Sequence, residues 1–479
     1  MAMGTIEVAA VEGGPVTLPA AAVEELAGGR CGRLLQAGDD GWDAAVLIWN
    51  GMAATTPALV LQPASPAEVA AAVRVAADHG VLIGVKGGGH NIAGTSMAPG
   101  GLTLDMSRLS AVAVDPAGRT AQVGAGCLLK DVDRETQAHG LAAVLGFVSE
   151  TGVAGLTLGG GFGYLTRRFG WTVDTLDEVE VVTADGQVRT ARADQEPDLF
   201  WALRGGGGNL GVATRFGFRL HEVGPTITGG LIAWSADRAA EVLAAYREVT
   251  ESAPRELTLA LTARLAPPAP FLPARWHGQP IVGMVVCHSG ADPGGDLAPI
   301  RALGDPIVDL VTEKPYAEQQ AMLDATQPKG LHYYWKSEFL AELTPAFCDT
   351  FLARALAVTS PLSQSGLFHL GGALNERAED DGAVGNRTAR YVMAFAGCWP
   401  PPDPRAGEHV AWARQSWEAV RAFSTGGNYL NFQVADDDAT RTSAAYGGNY
   451  GRLRRAKAAY DPGNLFRVNR NVTPSAGRA

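Results

Sequence analysis

The sequence predicts an α+β protein built from two domains and a C-terminal segment. Helix and strand patterns alternate from about residue 40 to residue 223, which favours a first domain over 40–223. From 224 to 430, long apolar strand patterns are separated by helical ones, typical of an antiparallel sheet backed by helices. The segment 431–479 contains one helical pattern and then a loop-like tail.

The first domain opens with a helix whose ends are well marked. Ser65-Pro66-Ala67-Glu68 has the form of a capping box with proline at the first helical position. Gly80 lies where a glycine commonly ends a helix. The other predicted elements are strands at 81–86, 101–106 and 212–223, hairpins turning at 115–118 and 185–186, and helices at 127–139 and 198–204.

The second domain is predicted from five apolar runs. They cover residues 226–234, 257–265, 281–290, 367–374 and 390–399, and a helix is predicted at 236–250. Downstream, Tyr429-Leu430-Asn431-Phe432 is interpreted as a strand, and 450–460 as a helix.

Composition narrows the classes of function. The net charge is −11, and no basic tract stands out, so nucleic acid and anionic membranes are poor partners. No apolar run is long enough to span a bilayer, and the N-terminus does not resemble a secretory signal. The five cysteines are widely spaced without a CxxC motif, which favours reduced thiols and a cytoplasmic location.

Three glycine clusters are the strongest indication of a ligand. Gly87-Gly88-Gly89 precedes an isolated histidine, His90, and further clusters lie at 159–163 and 205–211. Because glycine lacks a Cβ, backbone N–H groups can close around an extended anionic ligand, such as a phosphate-bearing cofactor. The alternative is that some of the 60 glycines cluster merely to form turns.

Other common motifs are absent or misplaced. The segment 206–211 matches GxGxxG, but it follows a predicted helix and precedes a predicted strand, the reverse of the dinucleotide-binding order. P-loop, HExxH and GxSxG motifs do not occur. The nine histidines lack the spacing of metal ligands, so no metal site is predicted.

Four ordered motifs resemble a known family. They are GGGHNIAG (87–94), TGVAGLTLGGGFG (151–163), DLFWALRGGGGNLGV (198–212) and YDPGNLFRVNRNV (460–472). Together they resemble the berberine-bridge-enzyme-like branch of the vanillyl-alcohol-oxidase superfamily, of the bacterial type with one histidyl link. The resemblance implies FAD, a PCMH-type FAD-binding domain of two subdomains, a substrate domain, and a C-terminal segment that returns to the FAD domain.

The resemblance also implies a covalent bond between His90 and the flavin. A neutral imidazole nitrogen is a suitable nucleophile, and an imidazolyl substituent makes the ring a stronger oxidant. The alternative for His90 is a histidine that is only hydrogen-bonded within a glycine loop. Some relatives carry a second tether through a cysteine where this chain has Val148, so attachment through His90 alone is expected.

The resemblance implies flavin contacts along three segments and the tail. The expected FAD-binding residues are Lys86, Gly87, Gly88, Gly89, His90, Asn91, Ile92, Gly94, Val148, Thr151, Gly152, Gly155, Leu156, Gly160, Gly161, Gly163, Asn209, Gly211, Val212, Asn469 and Asn471. For each glycine among them, a turn without a ligand is the alternative.

Candidate catalytic residues lie on the substrate side. Tyr429 matches an active-site tyrosine of relatives, and Asn431 and Gln433 alternate with it along the expected strand. A phenol is a weak base unless a cation lowers its pKa, and Lys336 is a candidate for that cation. His369 is a further candidate base, and 333–335 a candidate aromatic wall; each could instead be an ordinary core residue.

The expected activity is that of an FAD-dependent oxidase. Hydride would pass from an alcohol, phenolic natural product or sugar to the flavin, and molecular oxygen would become hydrogen peroxide. The alternatives are a flavin-N5-oxide oxygenase or dehydrogenase of secondary metabolism, or a flavin-binding protein without turnover. The expected partners are a small substrate and oxygen, in a monomer or homodimer.

Overall fold

The computed structural model describes residues 4–28 and 32–476. Its strands are β1 Ile6–Ala9, β2 Pro15–Leu18, β3 Arg33–Leu35, β4 Leu59–Gln62, β5 Ile83–Lys86, β6 Leu102–Asp105, β7 Val112–Asp115, β8 Thr120–Gly124, β9 Leu141–Ala142, β10 Leu176–Val182, β11 Val188–Arg192, β12 Val212–Arg219, β13 His221–Glu222, β14 Thr226–Ser235, β15 Leu257–Leu265, β16 Pro280–His288, β17 Val308–Asp309, β18 Thr312–Pro315, β19 His332–Leu340, β20 Gln364–His369 and β21 Tyr391–Trp399. Its α-helices are α1 Ala20–Ala27, α2 Trp42–Val46, α3 Pro66–His79, α4 Leu129–Gln137, α5 Val153–Leu158, α6 Thr166–Phe169, α7 Pro197–Leu203, α8 Ala239–Ser252, α9 Pro293–Arg301, α10 Tyr316–Ala321, α11 Pro345–Ala355, α12 Ala406–Val420, α13 Ala439–Tyr446 and α14 Tyr450–Tyr460.

The first part of the chain forms two sheets. One has the order β3-β4-β6-β5, in which β6 runs parallel to both of its neighbours. The other is antiparallel in the order β11-β10-β12-β8-β7. The predicted helix at α3 is confirmed: the Ser65 hydroxyl accepts from Glu68 N at 3.3 Å, and Gly80 ends the helix at a φ of 64°.

The chain ends also pack on the first domain. The hairpin β1–β2 lies next to β5, because Ala10 bridges to Val81. Residues from α1, from the segment around Leu430 and from α14 share the large hydrophobic cluster of the first domain. The compact unit around the first two sheets therefore includes residues before position 40 as well as the C-terminal segment.

The second domain is built on one antiparallel sheet. Its order is β17-β14-β16-β15-β20-β21-β19, and β18 also pairs with β14. Helices α8, α9, α11 and α12 pack together on one face of this sheet around a second hydrophobic cluster. The fold class predicted from the sequence, with an antiparallel sheet backed by helices, is thereby confirmed.

One strand of the central sheet was not predicted, and one predicted strand is wrong. The segment His332–Leu340 is an edge strand of the central sheet, which the sequence pattern did not reveal. Leu430–Phe432 is a 3-10 turn and not a strand, so side chains there do not alternate between two faces. Gln433 is buried after this turn and donates to Asn428 at 2.7 Å, away from the cavity described below.

Cys127, Cys287, Cys348 and Cys398 are free thiols. Cys31 lies outside the described residues. Within the described ranges, no helix is both long and apolar enough to cross a membrane.

One buried carboxyl group lies where the two domains meet. Asp133 of α4 is 1% exposed, and α4 packs against α10 of the second domain. Neither carboxyl oxygen has a hydrogen-bond partner of normal geometry among the described residues. Burial raises the pKa of Asp133 to about 7, and only Gln320 acts to lower it.

Replacing Asp133 with asparagine should change how stability depends on pH. Because the pKa of Asp133 rises on folding, the folded state binds a proton that the unfolded state releases between about pH 4 and pH 7. Stability therefore falls as pH rises through this range, by up to roughly 4 kcal/mol. Asp133→Asn should be the more stable protein at pH 8 and nearly equal to the parent at pH 4.

The measurement is chemical denaturation of both proteins at several pH values. The exposed Asp78→Asn substitution serves as the control and should leave the pH profile unchanged. Parallel profiles for Asp133→Asn and the parent protein would contradict the assignment.

Candidate active site

A cavity of about 300 Å³ lies between the glycine loops of the first domain and the central sheet of the second. This volume is within the range of ligand pockets. The first domain contributes residues of the segments 87–92, 146–148, 151–156 and 207–211 to the lining, although not every residue of the last two segments. Trp335, Gln364, Phe368 and the segment 429–432 close the opposite side.

Two of the glycine loops touch backbone to backbone. A Cβ on Gly88 would lie 2.4 Å from the backbone nitrogen of Gly152, and a Cβ on Gly152 would lie 2.2 Å from the nitrogen of Gly88. No side chain fits at either position without moving the backbone. The contact fixes the loop that carries His90 against the start of α5.

His90 lines the cavity at the end of its glycine loop. Its ring stacks on Trp49, with centroids 4.5 Å apart and planes 14° from parallel. Burial lowers the pKa of His90 to about 4, so the imidazole is neutral at pH 7. The buried Nε2 has no hydrogen-bond partner within the described part of the chain.

Trp49 and Asn50 connect this loop to the central sheet. Trp49 N donates to Gly89 O at 2.9 Å, and the indole stacks on Tyr333 at 3.7 Å. The Asn50 amide donates to Ile92 O at 2.6 Å and to Tyr333 O at 2.9 Å, and its oxygen accepts from Tyr333 N. The His90 loop and β19 are therefore held together by one buried segment.

The third glycine segment is held by the C-terminal tail. Asn209 Oδ1 accepts from Val472 N at 2.9 Å, and Asn469 donates to Gly208 O at 3.0 Å. Arg470 lines the cavity and donates to the carbonyl of Gln433 at 2.7 Å. The tail thus completes the end of the cavity that lies near residues 207–211.

The structure brings most of the expected FAD-binding residues to this cavity. Those that line it are Gly87, Gly88, Gly89, His90, Asn91, Ile92, Val148, Thr151, Gly152, Gly155, Leu156, Gly211 and Asn469. Those that do not are Lys86, Gly94, Gly160, Gly161, Gly163, Asn209, Val212 and Asn471.

The residues outside the cavity have packing roles. Strand alternation turns Lys86 away from it, and its ammonium donates to Ala45 O at 2.7 Å, with Asp105 at 3.6 Å. Gly94 and Gly163 lie where a Cβ would come within 2.3 Å of a backbone oxygen. Close backbone contact explains why neither position carries a side chain.

Four of the remaining five behave similarly, and Asn471 is the exception, with a buried Oδ1 that lacks a partner in the described residues. Gly160 and Gly161 pack against Val384 and Thr172, and Val212 is a buried residue of β12. Asn209 holds the tail through its side chain, as described above.

Tyr429 and Asn431 both line the cavity from the 3-10 turn. The Asn431 amide donates to the Tyr429 hydroxyl at 2.9 Å and to Leu156 O at 3.1 Å. Burial raises the pKa of Tyr429 well above its ordinary value, although Asn431 and the backbone of 161–162 act to lower it. At neutral pH Tyr429 is therefore a hydroxyl group that can donate a hydrogen bond.

Lys336 and His369 do not reach the cavity, which corrects the expectation that they act there. Trp335 of β19 lines it, so the next residue, Lys336, points to the opposite face. The Lys336 ammonium lies 2.7 Å from Asp437 and 5.4 Å from the ring of Trp417 in α12. It is not available to lower the pKa of Tyr429.

His369 is likewise turned away. Phe368 lines the cavity, so His369 lies on the other face of β20. Its Nε2 is 2.6 Å from Arg167 Nη1. Burial and this cation lower the pKa of His369 well below its ordinary value.

Several lining residues were missed by the sequence reasoning. These are Trp49, Gln327, Gln364, Phe368, Phe432 and Arg470. Of the expected aromatic wall, Trp335 lines the cavity, Tyr333 stacks on Trp49, and Tyr334 lies on the helix-covered face, where it accepts from Arg414 at 2.7 Å. If 332–340 and 364–369 had been predicted as strands, the alternation of side chains between two faces would have identified Trp335, Gln364 and Phe368 as lining residues.

The cavity fits a long ligand with polar groups along its length. Among the lining residues, buried atoms without partners in the described part of the chain occur at His90 Nε2, Asn469 Oδ1 and Arg470 Nε. A Cβ on Gly155 would meet no atom within 4 Å, so this glycine leaves open space along the cavity wall. Glycine backbone, buried amides and one guanidinium suit the phosphates and the polar ring edge of a flavin dinucleotide.

Comparison with known proteins agrees with this fit. An FAD-binding domain family matches residues 57–192, and a family described as berberine and berberine-like matches residues 428–473. An FAD-linked oxidoreductase of Dictyostelium discoideum is 30% identical over 430 residues, covering 89% of this chain and 91% of the relative. The (R)-6-hydroxynicotine oxidase of Paenarthrobacter nicotinovorans is 29% identical over 461 residues, covering 92% and 97%.

A solved structure extends the likeness. The crystal structure of 6-hydroxy-D-nicotine oxidase from Arthrobacter nicotinovorans has a TM-score of 0.82 and 28% identity, covering 93% of this chain and 98% of that one. Fold, cavity and relatives together define an FAD-dependent oxidoreductase. The chain belongs to the berberine-bridge-enzyme-like family of FAD-linked oxidases within the vanillyl-alcohol-oxidase superfamily.

Substitution of Lys336 by methionine should lower stability and leave the chemistry intact. It removes a buried cation from Asp436 and Asp437, and because Arg414 and Arg441 still pair with these carboxylates, the expected cost is about 2 kcal/mol. Thermal denaturation and the rate of flavin reduction should be measured on the same preparation.

The control is Lys130→Met, which breaks an exposed pair with Glu150 and should cost less than about 1 kcal/mol. A Lys336→Met protein of unchanged stability that no longer reduces its flavin would restore Lys336 as a catalytic residue.

Proposed function

We propose that the protein is an oxidase whose FAD is attached covalently through His90 alone. The observation that carries the proposal is a neutral imidazole at the end of a glycine loop, in a cavity suited to a flavin, whose Nε2 has no hydrogen-bond partner among the described residues. A protonated imidazole could not act as a nucleophile, and the low pKa of His90 prevents protonation at pH 7. Val148 lines the same cavity and offers no sulfur for a second bond.

The bound flavin would accept a hydride from the substrate and pass the electrons on to molecular oxygen, giving hydrogen peroxide. The glycine loops, Thr151 and the tail around Asn469 would hold it. The rest of the chain would bind and orient the substrate and exclude water. Oxygen would approach past the small side chains of Val148 and Thr151, which line the cavity.

Tyr429 and Asn431 are the proposed catalytic residues. The Tyr429 hydroxyl, fixed by Asn431, would donate a hydrogen bond to the reacting group of the substrate. Because the pKa of Tyr429 is raised, this residue would orient the substrate and would not remove its proton.

The proposal extends to the domain organisation, location and substrate of the protein. We propose residues 40–223 as the FAD-binding domain, 224–430 as the substrate-binding domain and 431–479 as the returning segment. A cytoplasmic location, a monomeric or homodimeric state and a role in secondary metabolism complete the proposal. An alcohol, a phenolic natural product or a sugar is the substrate expected from the sequence, and the lining favours the aromatic member of this group.

His90→Ala should abolish the covalent bond. After acid precipitation, the parent protein should give a yellow pellet and the variant a colourless one, because only a covalently bound flavin survives unfolding. The exposed His139→Ala substitution is the matched control and should keep the colour. Colour in the His90→Ala pellet would show that the link is elsewhere.

Tyr429→Phe should slow flavin reduction about tenfold without changing FAD content, because one hydrogen bond to the reacting group is lost. Stopped-flow absorbance under anaerobic conditions measures the rate. Tyr450→Phe, outside the cavity, should have no effect. An unchanged rate in Tyr429→Phe would remove this hydroxyl from catalysis.

A further inference from the structure

Four neighbouring strands of the central sheet place a row of side chains along the substrate side of the cavity. Trp335 and Gln364 both pair with Ala396, one from each side, and Gln364 pairs in turn with Arg264. Register partners point to the same face of a sheet, so these four side chains follow one another across one face. Trp335 and Gln364 line the cavity, and the half-buried Arg264 lies next to it, beyond Gln364.

Arg264 pairs with no aspartate or glutamate of residues 4–28 and 32–476. Its side-chain hydrogen bonds run to the carbonyl of Leu265 and to Gln364 Oε1, both at 3.3 Å. Burial lowers the pKa of Arg264, and Cys398, which acts to raise it, is itself a neutral thiol because burial raises its pKa to about 12. The guanidinium has therefore lost water without gaining a negative charge.

The guanidinium also determines how the Gln364 amide is oriented. A guanidinium can only donate hydrogen bonds, so the oxygen of the Gln364 amide is the atom that faces Arg264. The NH2 group of Gln364 then has no partner in the described part of the chain, although this residue lines the cavity. Two hydrogen-bond donors, one amide and one cation, therefore lie side by side next to the aromatic ring of Trp335.

We propose, as an extension of the oxidase function proposed above, that Gln364 and Arg264 bind a carboxylate group of the substrate. One carboxylate oxygen accepts from the Gln364 amide and the other from the guanidinium, which pairs readily with planar two-oxygen groups. The aromatic part of the same substrate lies against Trp335. The substrate is thus an aromatic alcohol or phenol that carries a carboxylate.

The strand spacing indicates how far the carboxylate lies from the ring. Neighbouring strands are about 4.8 Å apart, so the backbones of Trp335 and Gln364 are separated by roughly 10 Å. A carboxylate on a short carbon chain spans more of this distance than one attached directly to the ring. Between the two residues, the row contributes only the methyl group of Ala396.

The test compares a carboxylate with its neutral ester in the purified flavoprotein. The probes are para-methylhydrocinnamate and its methyl ester, which lack the alcohol group and so bind without being oxidised as alcohols. The change in flavin absorbance during titration gives each dissociation constant. The acid should bind at least about tenfold more tightly than the ester, because a hydrogen bond between charged groups contributes more than one between neutral groups.

Three substitutions test the two proposed donors. Arg264→Gln removes the charge, and Gln364→Glu places a carboxylate beside Arg264 that pairs with it, so each should abolish the preference for the acid. Arg264→Lys keeps the charge and should retain part of the preference. Binding of the ester by each variant checks that it is folded. Arg455→Gln, at an exposed arginine of α14, is the matched control and should keep the full preference.

The outcomes separate this proposal from the oxidase function. Equal binding of acid and ester by the parent protein, no binding of the acid, or a preference that survives Arg264→Gln would overturn the carboxylate site. The oxidase function would still stand, because it is tested with a different probe, the alcohol para-(hydroxymethyl)hydrocinnamate.

This alcohol should reduce the flavin when oxygen is excluded. Its carbinol carbon gives up a hydride, its hydroxyl proton passes to water, and the product is the aldehyde. A preference for the acid that is lost in Arg264→Gln, without reduction by this alcohol, would support the carboxylate site and contradict oxidation of an aromatic alcohol there.

Discussion

The buried segment Trp49-Asn50 is the contact on which the geometry of the site depends. Asn50 is 2% exposed, and its side chain bonds to the backbone of the His90 loop on one side and of β19 on the other. Trp49 lies between His90 and Tyr333 as the middle ring of a stack. A loop of glycines has no side chains of its own with which to fix such a position, so the neighbouring segment supplies the fixed surface.

A second constraint comes from the strands of the central sheet. Successive side chains on a strand point to opposite faces, so each residue that enters the cavity is followed by one that does not. Trp335 and Phe368 face the cavity, while Lys336 and His369 face the packed side of the sheet. The polar candidates therefore form buried pairs, and the side of the cavity formed by the sheet keeps an aromatic, uncharged wall.

Much of the fold could be predicted because its signals are local. The capping residues of α3, the turns of the two hairpins and the glycine clusters each lie within a few neighbouring residues. His90 and Val148 could be tied to the cavity because they lie in or beside recognisable motifs. The roles of Lys86 and Asn209 could not, since each is set by partners distant in sequence, such as Ala45 and Val472.

Partners distant in sequence also determine the positions of the candidate catalytic residues. The turn at 430–432 is short, and its conformation depends on packing against 156–162. Asn431 reaches the cavity although the strand expected there does not exist. Gln433, predicted by the same alternation, does not. Asn431 was therefore predicted to face the cavity on the basis of a strand that does not form. Its position depends on contacts with residues distant in sequence, such as Leu156.

The central claim is that the flavin is bonded to one imidazole held by its loop and by Trp49. Peptide mapping of the purified protein by mass spectrometry tests it most directly. The account predicts that the peptide containing His90, and no other, carries the added mass of FAD or of its FMN fragment. Unmodified His90 peptide, with the flavin released on denaturation or found on a different peptide, would contradict it.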